Sequence, residues 1–218
     1  AKLDGSGDWL WAKNAGGSDD YDNGCGIAVD TSGNSYVTGY FSGPATFGST
    51  TLTSYGDYDI FVAKLDSSGN WLWAKNAGGT GFDEGWSIAV DASGNSYVTG
   101  YFNSTVTFGS TTLESNGYDD IFVAKLDSRG KWLWAKKAGG TAYDKGYSIA
   151  IDANGNSYVT GYFQGTATFG STTLTSSGSQ DIFITKLDSS GNWLWAKNAG
   201  GTSENYRFSI AVDASGNS

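Results

Sequence analysis

Short apolar runs alternate with polar, glycine-containing turns along the whole chain. In one copy of this pattern the runs are IAV from residue 88, SYVTGYF from residue 96, IFVAKL from residue 121 and WLWAKKAG from residue 132. The turns DASGN and DSRGK follow the first and third runs, and in such turns Asp caps the backbone while Gly adopts a left-handed conformation. The pattern predicts four antiparallel strands per copy, with a Thr-rich side hairpin, TFGSTTL, between the second and the third.

The copies recur with a nearly constant period. The leucine of the KLD motif stands at 3, 65, 126 and 187, and the WLW motif begins at 9, 71, 132 and 193, so the period is 61 or 62 residues. We therefore expect one domain, 1–218, with repeat units at approximately 1–26, 27–87, 88–148, 149–209 and 210–218, the first and last being partial.

The period and the strand composition favour a β-propeller. Sixty-one residues suit a propeller blade of four strands with an inserted hairpin. The runs at 88–90 and 121–124 are apolar on both faces, so both faces of each sheet must be covered, as neighbouring blades would do. We predict an all-β fold of four-stranded antiparallel blades, in a partial ring of about 3.5 blades. Small side chains in the crowded innermost strand agree with this fold: Ala28, Ala89, Ala150 and Ala211.

The repeated WLWAKNAGG strand is predicted to be structural. Strand alternation would place the two Trp side chains on one face and Leu on the other, which would make the indoles a wedge between blades. The Gly-Gly pair would let the chain turn inward to the next blade. An exposed platform for sugars or bases is the alternative.

The repeated motifs resemble a known family. The stretch GIAVDTSGNSYVTGY at 26–40, followed by DIFVAKLDSSGN at 59–70 and AGG at 77–79, is similar to the bacterial β-propeller repeat called SBBP, and the likeness continues at 88–140 and 149–201. The resemblance implies one blade per repeat, a setting in secreted or surface-attached bacterial proteins, and no enzymatic activity or catalytic residue. The WLW strand and the TFGSTTL insertion depart from the common pattern.

Composition narrows the possible functions. The net charge of −9 argues against nucleic acid as a partner, and no apolar run is long enough for a membrane span. The chain has no His, so Ser–His and Cys–His nucleophile pairs are absent, and we expect neither enzyme activity nor a cofactor. Each DxSGN turn offers a single carboxylate, which favours a hairpin cap over a metal site. The single cysteine, Cys25, aligns with Trp86, Tyr147 and Phe208 and is interpreted as a packing residue.

A candidate ligand site lies in the loops that lead into the innermost strands. An aromatic residue followed by Asp recurs there as Tyr21-Asp22, Phe82-Asp83 and Tyr143-Asp144. Loops from all blades converge at one mouth of a propeller channel, and an aromatic face beside a carboxylate suits a sugar. The alternative is that the aromatic residue packs and the Asp caps a turn.

These observations predict a non-catalytic extracellular or cell-surface scaffold that presents loops to a protein or a glycan. Two alternatives stay open: a structural protein that assembles itself into a filament or surface layer, and a carbohydrate-binding lectin. A partial ring also predicts partners for its open ends. These are a second copy, through ring closure or end-to-end assembly, or the remainder of a longer parent chain.

Overall fold

The computed structural model describes residues 1–18, 21–203, 209–213 and 215–218. Their regular structure is β throughout, in antiparallel sheets that confirm the predicted fold class. Within those ranges no helix is long and apolar enough to cross a bilayer.

Three complete blades each contain four antiparallel strands in chain order, preceded by the two-stranded pair β1 (Lys2–Leu3) and β2 (Trp9–Trp11). Each blade also carries the predicted side hairpin, which in blade two is continuous with the second and third strands. The strands of blade one are β3 (Asn23–Val29), β4 (Ser35–Phe41), β7 (Asp59–Leu65) and β8 (Trp71–Gly79), with hairpin β5 (Pro44–Phe47) and β6 (Thr50–Thr53). The strands of blade two are β9 (Asp83–Val90), β10 (Ser96–Phe108), β11 (Thr111–Leu126) and β12 (Trp132–Gly140). The strands of blade three are β13 (Lys145–Ile151), β14 (Ser157–Phe163), β17 (Asp181–Leu187) and β18 (Trp193–Ala199), with hairpin β15 (Thr166–Phe169) and β16 (Thr172–Thr175).

The Asp-containing turns adopt the predicted conformation. In the turn between β3 and β4, Asp30 Oδ1 accepts hydrogen bonds from the backbone N–H groups of Ser32 and Asn34, both at 2.9 Å. Gly33 has a φ of 78°, in the left-handed region that glycine adopts without strain. The same side-chain cap recurs at Asp66, Asp91, Asp127, Asp152, Asp188 and Asp213.

The hydrophobic core is divided between the junctions of neighbouring blades. The innermost strands β3, β9 and β13 contact one another in turn. One apolar cluster joins Tyr36, Ile60 and Val62 of blade one to the facing side of blade two, and a second joins their equivalents in blade two to blade three. The four-stranded sheet of blade two is thus covered on both faces, as its apolar strands predict.

Side hairpins also connect the blades through backbone hydrogen bonds. Gly78 and Gly79 at the end of β8 pair with Thr107 and Val106 of blade two, and the end of β12 pairs with β15 of blade three in the same way. A Cβ on Gly79 would stand 1.6 Å from the carbonyl oxygen of Thr105. The Gly-Gly pair therefore does more than turn the chain, because only glycine lets the next blade's hairpin approach this closely.

The predicted orientation of the tryptophans is wrong. A register irregularity between β7 and β8 places Trp71 opposite Leu65 and Trp73 opposite Lys64, so Leu72 is an extra residue. This bulge breaks the strict alternation of side chains, and the two indoles face different clusters. Trp71 packs against Phe47 of its own hairpin, whereas Trp73 faces blade two, where its Nε1–H donates to the Ser128 carbonyl at 3.2 Å.

Candidate ligand-binding surface

The three predicted aromatic residues lie at the end of the blades where the first strands begin. Phe82 immediately precedes β9, and Tyr21 and Tyr143, at the equivalent position of their repeats, lie two residues before the starts of β3 and β13. Their side chains are 56% (Tyr21), 46% (Phe82) and 42% (Tyr143) exposed. Aromatic side chains of this size are usually covered in folded proteins, so their exposure at equivalent places marks this end of the molecule.

A further tyrosine brings two of these side chains together. The ring of Tyr58, from the turn before β7, lies 5.5 Å from the ring of Tyr21 and 5.2 Å from that of Phe82. Its backbone also bridges to Phe82. The loops from two successive blades thus form one aromatic surface.

The junction between blades two and three carries a pair of stacked tyrosines. Tyr118, which is 57% exposed, stacks on Tyr143 with ring centroids 4.7 Å apart and an interplanar angle of 14°. We call the five side chains the aromatic rim: Tyr21, Tyr58, Phe82, Tyr118 and Tyr143. A stacked, exposed pair offers a flat apolar face that a sugar ring or an apolar side chain can cover.

The predicted aspartates point away from the aromatic rim. Asp83 and Asp144 are fully buried, and Asp22 is half-buried. Each accepts a hydrogen bond from the backbone of the Gly-Gly pair before it: Asp22 from Gly17 at 2.6 Å, Asp83 from Gly79 at 2.7 Å and Asp144 from Gly140 at 2.6 Å. The structure does not bring the aromatic residue and the carboxylate together, and a ligand role for the aspartates stays a prediction.

Each buried Asp of the loop lies beside a second buried Asp from the third strand. A Cβ built on Gly139 would stand 2.4 Å from Asp120 Oδ1 and 3.0 Å from Asp144 Oδ2, so these carboxyl groups face each other across the glycine. Burial raises the pKa of Asp144 to about 7 and that of Asp120 to about 6. At the preceding junction, burial and the neighbouring charge of Asp59 raise the pKa of Asp83 to about 8.

A charged group that the sequence analysis missed lies beside the aromatic rim. Lys145 Nζ lies 2.9 Å from Asp119 Oδ2 and 3.6 Å from the centroid of Tyr101, and Glu84 Oε2 accepts a hydrogen bond from Trp86 Nε1 at 3.1 Å. Glu84 and Lys145 occupy one position of the repeat, where blade one has Asn23. Among otherwise similar strands, this position changes from neutral to acidic to basic, and that change in charge is the sequence feature that indicates Glu84 and Lys145 as candidates.

Cys25 and the possible metal ligands are the remaining positions that the sequence analysis considered. Burial and the nearby charge of Glu84 raise the pKa of the Cys25 thiol to about 11, so the thiol stays protonated at neutral pH and is a poor nucleophile. The alignment of Cys25 with Phe208 lies outside the described residues. Within the described ranges, no three His, Cys, Asp or Glu side chains form a group that could hold a metal ion.

The stacked four-stranded sheets and their period define a tandem-repeat β-propeller protein. The family model of the SBBP β-propeller repeat matches residues 10–40 and 133–162, in agreement with the resemblance seen in the sequence. The chain is also similar to the regulatory protein FlaEY of Caulobacter vibrioides, with 29% identity over 141 residues, and to an uncharacterized WD repeat-containing protein of Acanthamoeba polyphaga mimivirus, with 28% identity over 188 residues. These alignments cover 63% and 71% of the chain but only 15% and 14% of the two relatives.

Proposed function

We propose that this chain is a non-catalytic binding module that presents the aromatic rim to a glycan or protein partner outside the cell. The observation that carries the proposal is the stacked pair of Tyr118 and Tyr143, which is exposed although each ring could bury a large apolar area. The rigid β-sheets beneath hold the pair in place, so binding requires little ordering of the surface. One relative is named a regulatory protein, and regulation through binding agrees with that name.

The test replaces the stacked rings. We expect the double variant Tyr118→Ser, Tyr143→Ser to bind about tenfold or more weakly, because removing each aromatic ring from the interface costs on the order of 1 kcal/mol of binding free energy. A glycan array and binding of the labelled protein to fixed bacterial cells measure the effect. Leu194→Ser, at a 52% exposed apolar position on β18 outside the rim, is the control. Equal binding by the double variant and the unchanged protein would contradict the proposal.

Self-assembly is a second candidate function, because the two outer faces of the three-blade stack correspond to the two halves of the internal junction. Ile27 on β3 is 63% exposed, whereas its equivalents Ile88 and Ile149 are 5% exposed beneath the preceding blade. At the other end of the stack, Ile182 and Ile184 of blade three are half-buried, whereas their equivalents Ile60 and Val62 are fully buried. Part of the face of blade three is already covered by the last described residues, since Ile210 N–H donates to Ser148 Oγ at 3.2 Å and the Tyr158 hydroxyl donates to the Gly216 carbonyl at 2.9 Å. The remaining surfaces are complementary, since the same pair of surfaces packs twice within the chain.

Sedimentation over a range of protein concentrations tests self-assembly. We expect the average mass to rise with concentration, and the variant Ile27→Lys to stay monomeric, because a lysine at the centre of the apolar face would have to be buried without a partner. Leu72→Lys, at a 53% exposed position on β8, is the control and should assemble normally. A constant monomeric mass for the unchanged protein would exclude this second function.

A further inference from the structure

A groove of about 730 Å³ runs along the outer side of the junction between blades one and two. Its floor is the outermost strand β8, one wall is the side hairpin of blade one, and the other wall belongs to blade two. Leu52 and Tyr55 stand on the first wall, and Thr107 and Trp132 stand on the second. The groove is separate from the aromatic rim, which contributes none of its lining residues.

The floor of the groove is an open strand edge. Along Trp71–Ala77, the described ladder of β8 is formed with β7 on one side. On the other side, among the residues that the structure describes, β8 pairs only at Gly78 and Gly79, with the extended segment of β10. An unpaired strand edge is a template for another extended segment, and the chain itself already adds an antiparallel segment to this edge immediately beyond the groove.

The walls indicate the side chains that such a segment would carry. The ring of Tyr55 is 71% exposed, and together with Leu52 it offers an apolar wall. Lys75 is the charged residue among those lining the groove, and none of the described lining residues is acidic, although the net charge of the chain is −9. We propose that this groove binds an extended peptide with alternating apolar and acidic side chains, which adds an antiparallel strand to β8.

The equivalent groove at the next junction is bridged by a side chain. Lys137, at the position of Asn76, donates from Nζ to Asn116 Oδ1 at 2.8 Å and to the Glu114 carbonyl oxygen. Asn116 itself stands at the position of Tyr55. The shorter Asn76 donates to the equivalent carbonyl, that of Thr53, at 3.2 Å, but no hydrogen bond joins it to Tyr55. The two junctions therefore differ in one bond between β12 or β8 and the end of the hairpin, which Lys137 makes to Asn116 and Asn76 does not make to Tyr55.

This difference supplies a variant that is compatible with the fold. The double variant Tyr55→Asn, Asn76→Lys copies the residues of the second junction into the first. The probe is a labelled acetyl-heptapeptide of sequence Thr-Val-Glu-Val-Glu-Val-Thr, measured by fluorescence anisotropy. We expect saturable binding to the unchanged protein and about tenfold or more weaker binding to the double variant, since the loss of the apolar wall and of access to the edge outweighs the attraction of the added lysine for the acidic peptide. Asn198→Lys makes the Asn76→Lys change at the equivalent position on blade three, away from the groove, and should leave the affinity unchanged.

A second peptide tests the mode of binding. The same heptapeptide with N-methylated valines cannot donate from those backbone positions, so it should bind at least tenfold more weakly. Bound peptide should also slow hydrogen exchange along 72–76. No saturable binding up to a concentration on the order of 1 mM would overturn the proposal. Equal affinity for the methylated peptide, or for the double variant, would also overturn it. None of these results depends on Tyr118 or Tyr143, so the aromatic-rim proposal stands or fails separately.

Discussion

Replacing Gly140 with alanine is expected to destabilise the protein by about 3 kcal/mol, because the added methyl group collides with backbone. The new Cβ would stand 1.9 Å from the carbonyl oxygen of Thr166, on the segment that pairs with Gly140 through Ala167. A backbone atom cannot rotate away as a side chain can, so β12 and the hairpin of blade three must separate. The destabilisation includes the broken hydrogen bonds between these two blades.

The chain contains a matched control for this substitution. Gly201 ends the same AGG motif in the next copy, but a Cβ there has no atom within 4 Å. Urea unfolding followed by tryptophan fluorescence should therefore show a lower midpoint for Gly140→Ala and an unchanged midpoint for Gly201→Ala. Equal midpoints for Gly140→Ala and the unchanged protein would mean that the hairpin contact contributes little to stability.

The free energy of unfolding is expected to fall as pH rises from about 4 to about 8. Burial, with the charge of Asp59 beside it, raises the pKa of Asp83 from 3.8 to about 8, and burial raises that of Asp144 to about 7. Between these limits the unfolded chain releases protons that the folded chain retains, so a rise in pH favours unfolding. Each unit of pKa difference corresponds to about 1.4 kcal/mol, which makes the expected decrease several kcal/mol.

The acid side of the profile has a different cause. Hydrogen bonds from Asn192 and nearby backbone groups hold the pKa of Asp188 below its usual range, and hydrogen bonds from Asn70 and nearby backbone groups do the same for Asp66. Protonating these turn-capping carboxylates removes their stabilising contribution as pH falls below 4. Maximum stability is therefore expected near pH 4 to 5, well below neutrality.

Asp83→Asn should flatten the decline above pH 5 and raise stability at pH 8. The amide oxygen can still accept the hydrogen bond from Gly79, while the amide nitrogen can donate to a neighbouring carboxylate without carrying a charge. The chain itself has Asn205 at the equivalent place in its last copy. Urea unfolding at a series of pH values measures the effect, with Asp57→Asn, at an exposed site, as the control. A profile of equal slope for Asp83→Asn would show that Asp83 is ionised in the folded protein.

Features encoded by local pattern could be predicted from the sequence. The period, the four strands, the side hairpin and the Asp-capped turns depend on neighbouring residues, and the structure shows all of them. The sequence also predicted that both faces of each blade are covered, because a strand with apolar residues on both faces needs a packed layer on each side. The exposure of Phe82 and burial of Asp83 fit the same logic, since adjacent residues at the start of a strand point to opposite sides.

Features that depend on distant pairing could not be predicted in this way. The bulge at Leu72 arises from the register in which β8 pairs with β7. No residue type in the WLW motif predicts a bulge at that position. The pairing of Gly79 with Val106 joins two segments that belong to different repeats. The open groove beside Asn76 is formed by residues of two neighbouring blades. No local sequence pattern therefore predicts its position.

Because each Gly-Gly end pairs with the hairpin of the following blade, every blade depends on the blade that comes after it in the chain. The end of the last strand of a blade pairs with residues that are synthesised about half a repeat later. During synthesis, that strand end therefore stays unpaired until the hairpin of the next blade has left the ribosome. Deleting one side hairpin would accordingly weaken the preceding blade as well as its own. A duplicated unit that carries its hairpin brings with it the closure for the unit before it, which makes lengthening by whole copies structurally simple.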